Sequence, residues 1–461
     1  MSSRPHTVGI VGAGLSGTAL AIGLLRQSHA APLRIVLIER SPAPGGLAYT
    51  RREYPYLLNV PAGRMSATSA DPGEFLAFAR RRQPGVTADS YLPRELYGDY
   101  LAASLANAQA ACGAPVQLER ILGSAIAIER TQRAGTVEIE LADGQRVAAD
   151  TVVLALGNPP PAPLDACAEL RGSSHYIADP WQTFPAVQAG EVMLIAGTGL
   201  TMADVVLAGV HSSGGRAVFH AISRHGLLPA LQTHFAPLED CDSAPLLRAA
   251  SDSLLQLLRA IRNLSEEVER NNGDWRAAIT LVRDLAPSLW QRLPPTERRR
   301  FLRHARAYWD IHRHRLPEGV SATLHDLRRK DSLHIHAGRI VAIELAARRV
   351  RVAWRPRGAR DTVTLTVDRI VNCTGPDYDV RNTQDKLLRA LLHRGVATPD
   401  SLGLGLLTDE TGALVDDSGR TDDHIYYLGP MLRPAYWETT AVAELSRHAE
   451  RLARHLSIRE E

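Results

Sequence analysis

The stretch from Val8 to Thr18, Val-Gly-Ile-Val-Gly-Ala-Gly-Leu-Ser-Gly-Thr, constrains the fold of this chain more than any other. Apolar β-formers (Val8, Ile10, Val11) lead into it, and Ala19, Leu20, Ile22, Leu24 and Leu25 leave it at helical spacing, so it reads as strand, tight loop and helix. The glycines fall as Gly12-x-Gly14-x-x-Gly17. The first allows the turn out of the strand, the second lets a pyrophosphate approach the backbone, and the third lets helix and strand pack closely. A second strand, Arg34 to Ile38, ends in Glu39, 22 residues after Gly17, where a carboxylate binds the ribose hydroxyls of a dinucleotide.

The 461 residues allow two or three domains, and 45% hydrophobic content suits a globular protein. A net charge of +3 argues for neither nucleic acid nor membrane as a partner. Cys112, Cys167, Cys241 and Cys373 stand far apart without a Cys-x-x-Cys, which leaves neither a zinc ribbon nor a thioredoxin-type pair and implies no metal site. The apolar run from Val8 to Leu25 mimics a signal or membrane segment, but its five glycines and the absence of a cleavage site fit the dinucleotide reading better. The expected location is cytoplasmic, and the oligomeric state is open.

Ser41 to Tyr49 carries paired glycines, Gly45 and Gly46, that let backbone lie against a flat group such as an isoalloxazine ring, or simply form a Pro/Gly turn. Tyr56 to Ser66 mixes apolar residues with Asn59 and Arg64, a composition suited to an apolar pocket with a few directed polar groups. Asp71 reads as the cap of a helix ending in Arg80, Arg81 and Arg82, and Val116 to Val147 as short strands with an Asp143-Gly144 turn. The strand from Asp150 stops at Gly157, and the Pro-rich run from Pro159 to Pro163 reads as a crossing into another domain.

Val192 to Asp204 repeats the opening signal with Gly197-x-Gly199, Met202 standing where the third glycine was. The following strand ends in Ser223-Arg224-His225-Gly226. An arginine there, in place of an acid, accepts the 2′-phosphate of NADP or stacks on the adenine. Two such units imply that one holds a flavin and the other receives a nicotinamide hydride donor, NADH or NADPH. Leu246 to Leu316 is a helical insertion in which Arg292 to Arg315 carries eight arginines against two acids, either a solvated face or an anion site around Trp309 to Arg315.

Asp368 to Pro376 repeats the strand seen at Asp150 to Gly157, so the second domain is expected to be spliced into the first. The expected fold is therefore α/β, two Rossmann-like dinucleotide-binding domains: FAD-binding from 1–185 and 376–461, NAD(P)-binding from 186–375, with a helical insertion at about 243–316. The tail completes the first fold with a strand ending at Gly429 and a last helix opening at Trp437 to Val442, where Thr439 and Thr440 present amides toward the flavin's pyrimidine edge.

These segments resemble the two-dinucleotide-fold flavoprotein monooxygenases, and more narrowly the bacterial FAD-NAD(P)-binding family that includes FAD-dependent urate hydroxylases. The likeness lies in Leu58-Asn59-Val60-Pro61-Ala62-Gly63-Arg64, Pro93-Arg94-x-Leu96-Tyr97-Gly98, Asp179-Pro180-Trp181, Gly197 to Met202, Ser223 to Gly226, Trp309 to Arg315 and Trp437 to Ala441. It implies FAD, NAD(P)H, O2 and a small-molecule substrate that is hydroxylated through a flavin hydroperoxide, with urate to 5-hydroxyisourate as the specific expectation. Asn59 and Arg64 are the expected groups around the reacting oxygen, and Arg64 or Arg313 would pair with an anionic substrate. The alternatives are amino-acid N-hydroxylation by the same chemistry and a non-enzymatic flavin-binding redox sensor or scaffold.

Overall fold

The computed structural model describes residues 4–458 apart from 30, 43–44, 114, 132–134 and 240, so Ala43 and Pro44 of the Pro/Gly stretch lie outside the described residues. The chain forms two compact units, Met1–Pro159 with Tyr378–Glu461, and Pro160–Asp377. The first segment supplies β1 (His6–Val11), β2 (Leu33–Glu39), β3 (Val116–Leu122), β4 (Ala125–Arg130), β5 (Val137–Leu141), β6 (Arg146–Ala149) and β7 (Thr151–Leu154). The second unit supplies β8 (Tyr176–Ile177), β9 (Val192–Ala196), β10 (Val218–Ser223), β11 (Leu333–Ala346), β12 (Arg349–Pro356), β13 (Val363–Val367) and β14 (Arg369–Asn372). The returning tail adds β15 (Ala413–Val415) and β16 (Thr421–Tyr427).

In the first unit a six-stranded sheet runs β15-β16-β7-β1-β2-β3, parallel except for β15, beside a three-stranded antiparallel sheet β4-β5-β6. Its central strand β1 is buried on both faces, as a parallel strand covered on both sides must be, which is why Val8, Ile10 and Val11 are all apolar. The helices Leu15–Arg26 and Val442–Ile458 pack together over one face, with Leu20, Leu24, Ala449, Leu452 and Leu456 in that core. The last helix starts at Val442, later than Trp437, because Trp437 takes a left-handed backbone conformation. Likewise the helix expected after Asp71 begins at Glu74, and Asp71 Oδ1 accepts from the Gly73 N–H at 3.0 Å.

The second unit's sheet runs β13-β12-β11-β10-β9-β14-β8, with β8 to β11 and β14 parallel and β11, β12 and β13 antiparallel in turn. Residues 160–185, expected with the FAD domain, belong here because β8 pairs with β14. The helical insertion spans helices from Ala244–Asp252 to Arg306–Arg313. Among the described residues no helix is long and apolar enough to cross a membrane.

On one face of this sheet His220 stacks on His334 with ring centroids 4.6 Å apart, and its Nδ1 lies 3.1 Å from His336 Nε2. Burial, then the neighbouring His334 and His336, push the His220 imidazole down to about 4, and burial lowers His336 as well. A base whose folded pKa is depressed stabilises the fold fully above its unfolded value near 6.5 and loses that contribution as pH falls toward the folded value. The second unit is therefore expected to lose stability as pH falls from about 6.5 to about 4. Thermal denaturation of His220→Gln across that range should show a flatter pH dependence than the wild type.

Candidate functional site

The two units repeat one device at the two ends of β1 and β9. In the first, Asp150, just before β7, accepts the Thr7 N–H on its side chain at 2.8 Å and donates its own N–H to Thr7 O. In the second, Asp368, just before β14, treats Val192 the same way. At the other end the Gly12 N–H donates to Ile38 O and the Gly197 N–H to Ile222 O, both at 2.8 Å. Both glycines take positive φ, +108° and +113°. A Cβ on Gly12 would run into the Ala155 carbonyl, and one on Gly197 into the Cys373 carbonyl.

Gly14 and Gly199, the second glycines, have nothing within 4 Å of where a Cβ would stand, and each precedes a helix with no side-chain cap and no acid in its first turn. That open backbone at a helix N-terminus is the cradle a pyrophosphate fills, and it fits FAD and NAD(P). The third positions differ. A Cβ on Gly17 would meet the Gly12 carbonyl, whereas Met202 is accommodated fully buried, and the first helical bond lengthens from 3.0 Å (Thr18 to Gly14) to 3.3 Å (Ala203 to Gly199).

Glu39 ends β2 beside the first cradle. Its Oε2 accepts the Ala13 N–H and its Oε1 the Arg40 N–H, both at 2.7 Å, so the carboxylate braces the glycine loop while keeping lone pairs for ribose hydroxyls. Gly45 and Gly46 pack backbone to backbone on that loop: the Gly45 N–H donates to Ala13 O at 3.1 Å, and a Cβ on Gly46 would stand 3.0 Å from Gly14 Cα. They border the phosphate loop, and Gly98 closes against Tyr49 beneath them. Gly157 follows β7 at φ +71° with open space around it. Gly429 follows β16, and the Thr439 hydroxyl donates to Pro430 O at 2.9 Å, which ties the approach to the last helix to that strand end; Thr440 lies beside it, half-buried.

Two of the family-type motifs lie side by side. Leu58 N–H donates to Leu92 O, Arg94 N–H to Tyr56 O, and Arg94 Nε to Leu57 O, which clamps Tyr56 to Arg64 against Ser90 to Arg94. Asn59 is half-buried and Arg64 exposed, and neither side chain has a hydrogen bond among the described residues. Arg313 lies in the other unit, half-buried on the helix Arg306–Arg313.

At the end of β10 the Thr198 hydroxyl donates to Leu227 O at 2.6 Å beside Ser223 Oγ, which accepts the Gly226 N–H at 3.0 Å. Arg224 is exposed there. Burial, then Arg357 and Arg224, lower the His225 imidazole; the Arg357 N–H donates to Ala337 O at 2.8 Å, and Ala337 packs against Gly226 at this strand end. Arg357 escaped sequence reading because a hairpin 133 positions later brings it in. The Arg-rich insertion reaches the same place, Tyr308 lying 5.5 Å from the His225 ring. Several of its arginines already have partners: Arg300 with Glu297, Arg306 with Asp310, Arg298 over Trp290 and Arg315 over Phe235.

One further group had no sequence signal. In the first unit Arg433 is 9% exposed, with its guanidinium 4.2 Å from the Trp437 ring centre and 4.7 Å from that of Tyr378. Its Nε has no hydrogen-bond partner among the described residues, and no carboxylate pairs with it there. Two ring contacts supply about 1–2 kcal/mol each. The rings offer its Nε no hydrogen-bond acceptor, so that donor stays unmet within the protein among the described residues.

Residues 9–159 match a family model described as FAD-NAD(P)-binding. No curated protein sequence matches the chain. Among solved structures the chain is similar to L-lysine 6-monooxygenase from Pseudomonas syringae (18% identity, TM-score 0.65, 99% of this chain and 100% of that one). It is also similar to the ornithine hydroxylase of Pseudomonas aeruginosa in its reduced form (16%, 0.64, 99% and 100%). A third is the cadaverine monooxygenase of Erwinia amylovora bound to FAD (14%, 0.64, 99% and 96%). Glu39→Gln should weaken FAD binding by about tenfold, the equivalent of one charge-assisted hydrogen bond, when apoprotein is titrated with FAD and flavin fluorescence quenching is followed. The chain has the two-dinucleotide fold seen in FAD- and NAD(P)-binding flavoprotein monooxygenases, and its first segment matches an FAD-NAD(P)-binding family model.

Proposed function

We propose that the protein is an NAD(P)H-dependent flavin monooxygenase that N-hydroxylates the side-chain amine of a small amino compound. The observation that carries the reading is the match, over 99% of the chain, to structures of ornithine and lysine hydroxylases, joined to two dinucleotide cradles in one chain. Bound FAD supplies two-electron reduction of O2 and transfer of one oxygen atom. The overall balance is amine, O2, NAD(P)H and a proton going to hydroxylamine, NAD(P)+ and water. In this reading Asn59, a half-buried amide, donates a hydrogen bond at the reacting centre, Arg64 and Arg313 attract anionic groups, and the loops around Gly45, Gly157 and Gly429 carry the flavin. The guanidiniums of Arg224 and Arg357 about His225 favour NADPH over NADH, because a 2′-phosphate is what such a pair neutralises.

Urate hydroxylation, expected from the narrower family resemblance, gains nothing from the comparisons, which favour amines. Disulfide reduction finds no support in the thiols. Cys167 and Cys373 are buried, and burial raises both, Cys167 to about 11, away from the reactive thiolate range. The test is to supply the FAD-loaded protein with NADPH or NADH and O2, together with L-ornithine, L-lysine, cadaverine or urate. Hydroxylamine formation coupled to NADPH oxidation is expected. Urate loss without hydroxylamine would return the urate reading, and negligible oxidation with every compound would leave a redox sensor or scaffold.

A further inference from the structure

We infer that Arg433 anchors the carboxylate of the substrate, so that the amine hydroxylated belongs to an amino acid and not to a diamine; this rests on the N-hydroxylation reading above. Two other largely buried arginines are neutralised within their own unit, Arg276 by Asp274 and Arg369 by Glu191. Arg433 is not, although it is nine-tenths buried and its Nε is sealed from water. A guanidinium so largely buried, with its Nε unbonded, calls for an anion at its remaining open edge, and the protein supplies none there among the described residues.

Its position says what kind of anion. Arg433 follows Gly429 and Pro430 off the end of β16, and the Tyr378 hydroxyl beneath it donates to Asn158 Oδ1 at 2.9 Å, just beyond β7. β16, β7 and β1 are neighbours in the sheet, so Arg433 stands at the carboxyl edge where open α/β sheets bind ligands, two strands from the Gly12 to Gly17 loop. The dinucleotide phosphates already have that loop. The planar guanidinium, fixed against the Tyr378 and Trp437 rings, presents donors in one plane that match the two coplanar oxygens of a carboxylate. The similar structures include enzymes of ornithine and lysine, which carry a carboxylate, and one of cadaverine, which does not. Arg433 chooses between these classes.

The experiment measures binding of L-ornithine, L-lysine, putrescine and cadaverine to the FAD-loaded wild type, Arg433→Met and Arg433→Lys by calorimetry, with FAD content and hydroxylamine formation followed separately. The wild type is expected to bind the amino acids more tightly than the matching diamines. Arg433→Met should lose about thirtyfold or more in amino-acid affinity, as for a desolvated charge-assisted pair, with diamine binding and FAD content unchanged. Arg433→Lys, which keeps the charge, should lose less and guards against misfolding of the methionine variant. Equal binding of amino acids and diamines, no amino-acid binding, or wild-type amino-acid affinity in Arg433→Met would overturn the inference. Loss of FAD with amino-acid affinity intact would assign the anion to the flavin and overturn it too. Amino-acid binding through Arg433 without hydroxylamine would retire N-hydroxylation and leave the anchor standing.

Discussion

The close approach of a glycine to a neighbouring strand's carbonyl is the contact on which each unit depends. Gly12 lies so near the Ala155 carbonyl, and Gly197 so near that of Cys373, that no side chain fits between. The approach turns the chain sharply out of β1 and β9 and leaves the next glycines, Gly14 and Gly199, open at a helix N-terminus. It also requires the neighbouring strands to be in register, which Asp150 and Asp368 secure by gripping β1 and β9 at their other ends. Pairing, turn and anion cradle are thus one construction made twice.

The two copies diverge where their ligands would differ. Glu39 puts a carboxylate at the end of β2 and braces the loop with it, as suits ribose hydroxyls. The end of β10 gathers Arg224 and Arg357 around His225, and the insertion brings Tyr308 to the same ring. In the proposed function, a negative tip and a positive tip on otherwise similar scaffolds would separate a permanently held dinucleotide from one that carries extra charge.

Much of this was legible in the sequence because it is local. The Gly-x-Gly loops, the acid at Glu39 and the arginine at Arg224 each act within about thirty residues, where strand, turn and helix signals are strongest. The return of the chain was legible too, since Asp368 to Gly375 repeats Asp150 to Gly157. What escaped was assembled from distant segments. Tyr378 and Arg433 are joined only when the tail folds back beside β7, and Arg357 reaches His225 only through the β11 and β12 hairpin. The boundary expected at 185 fell instead at Pro159, because two residues of β8 pair with β14, a strand too short to leave a pattern. Gly45 and Gly46, read as a surface for a flat ring or a plain Pro/Gly turn, also pack on the Gly12 to Gly17 loop, a contact that spacing alone does not reveal.

In the proposed function each cradle serves one dinucleotide, the first FAD and the second the hydride donor. Anaerobic rapid-mixing of FAD-loaded Gly197→Ala with NADPH tests it most directly, because the added methyl would strike the Cys373 carbonyl in the second unit only. The visible flavin spectrum and reduction by dithionite should match the wild type, while reduction by NADPH is lost. A variant that sheds its FAD, or that NADPH reduces at the wild-type rate, would contradict the account.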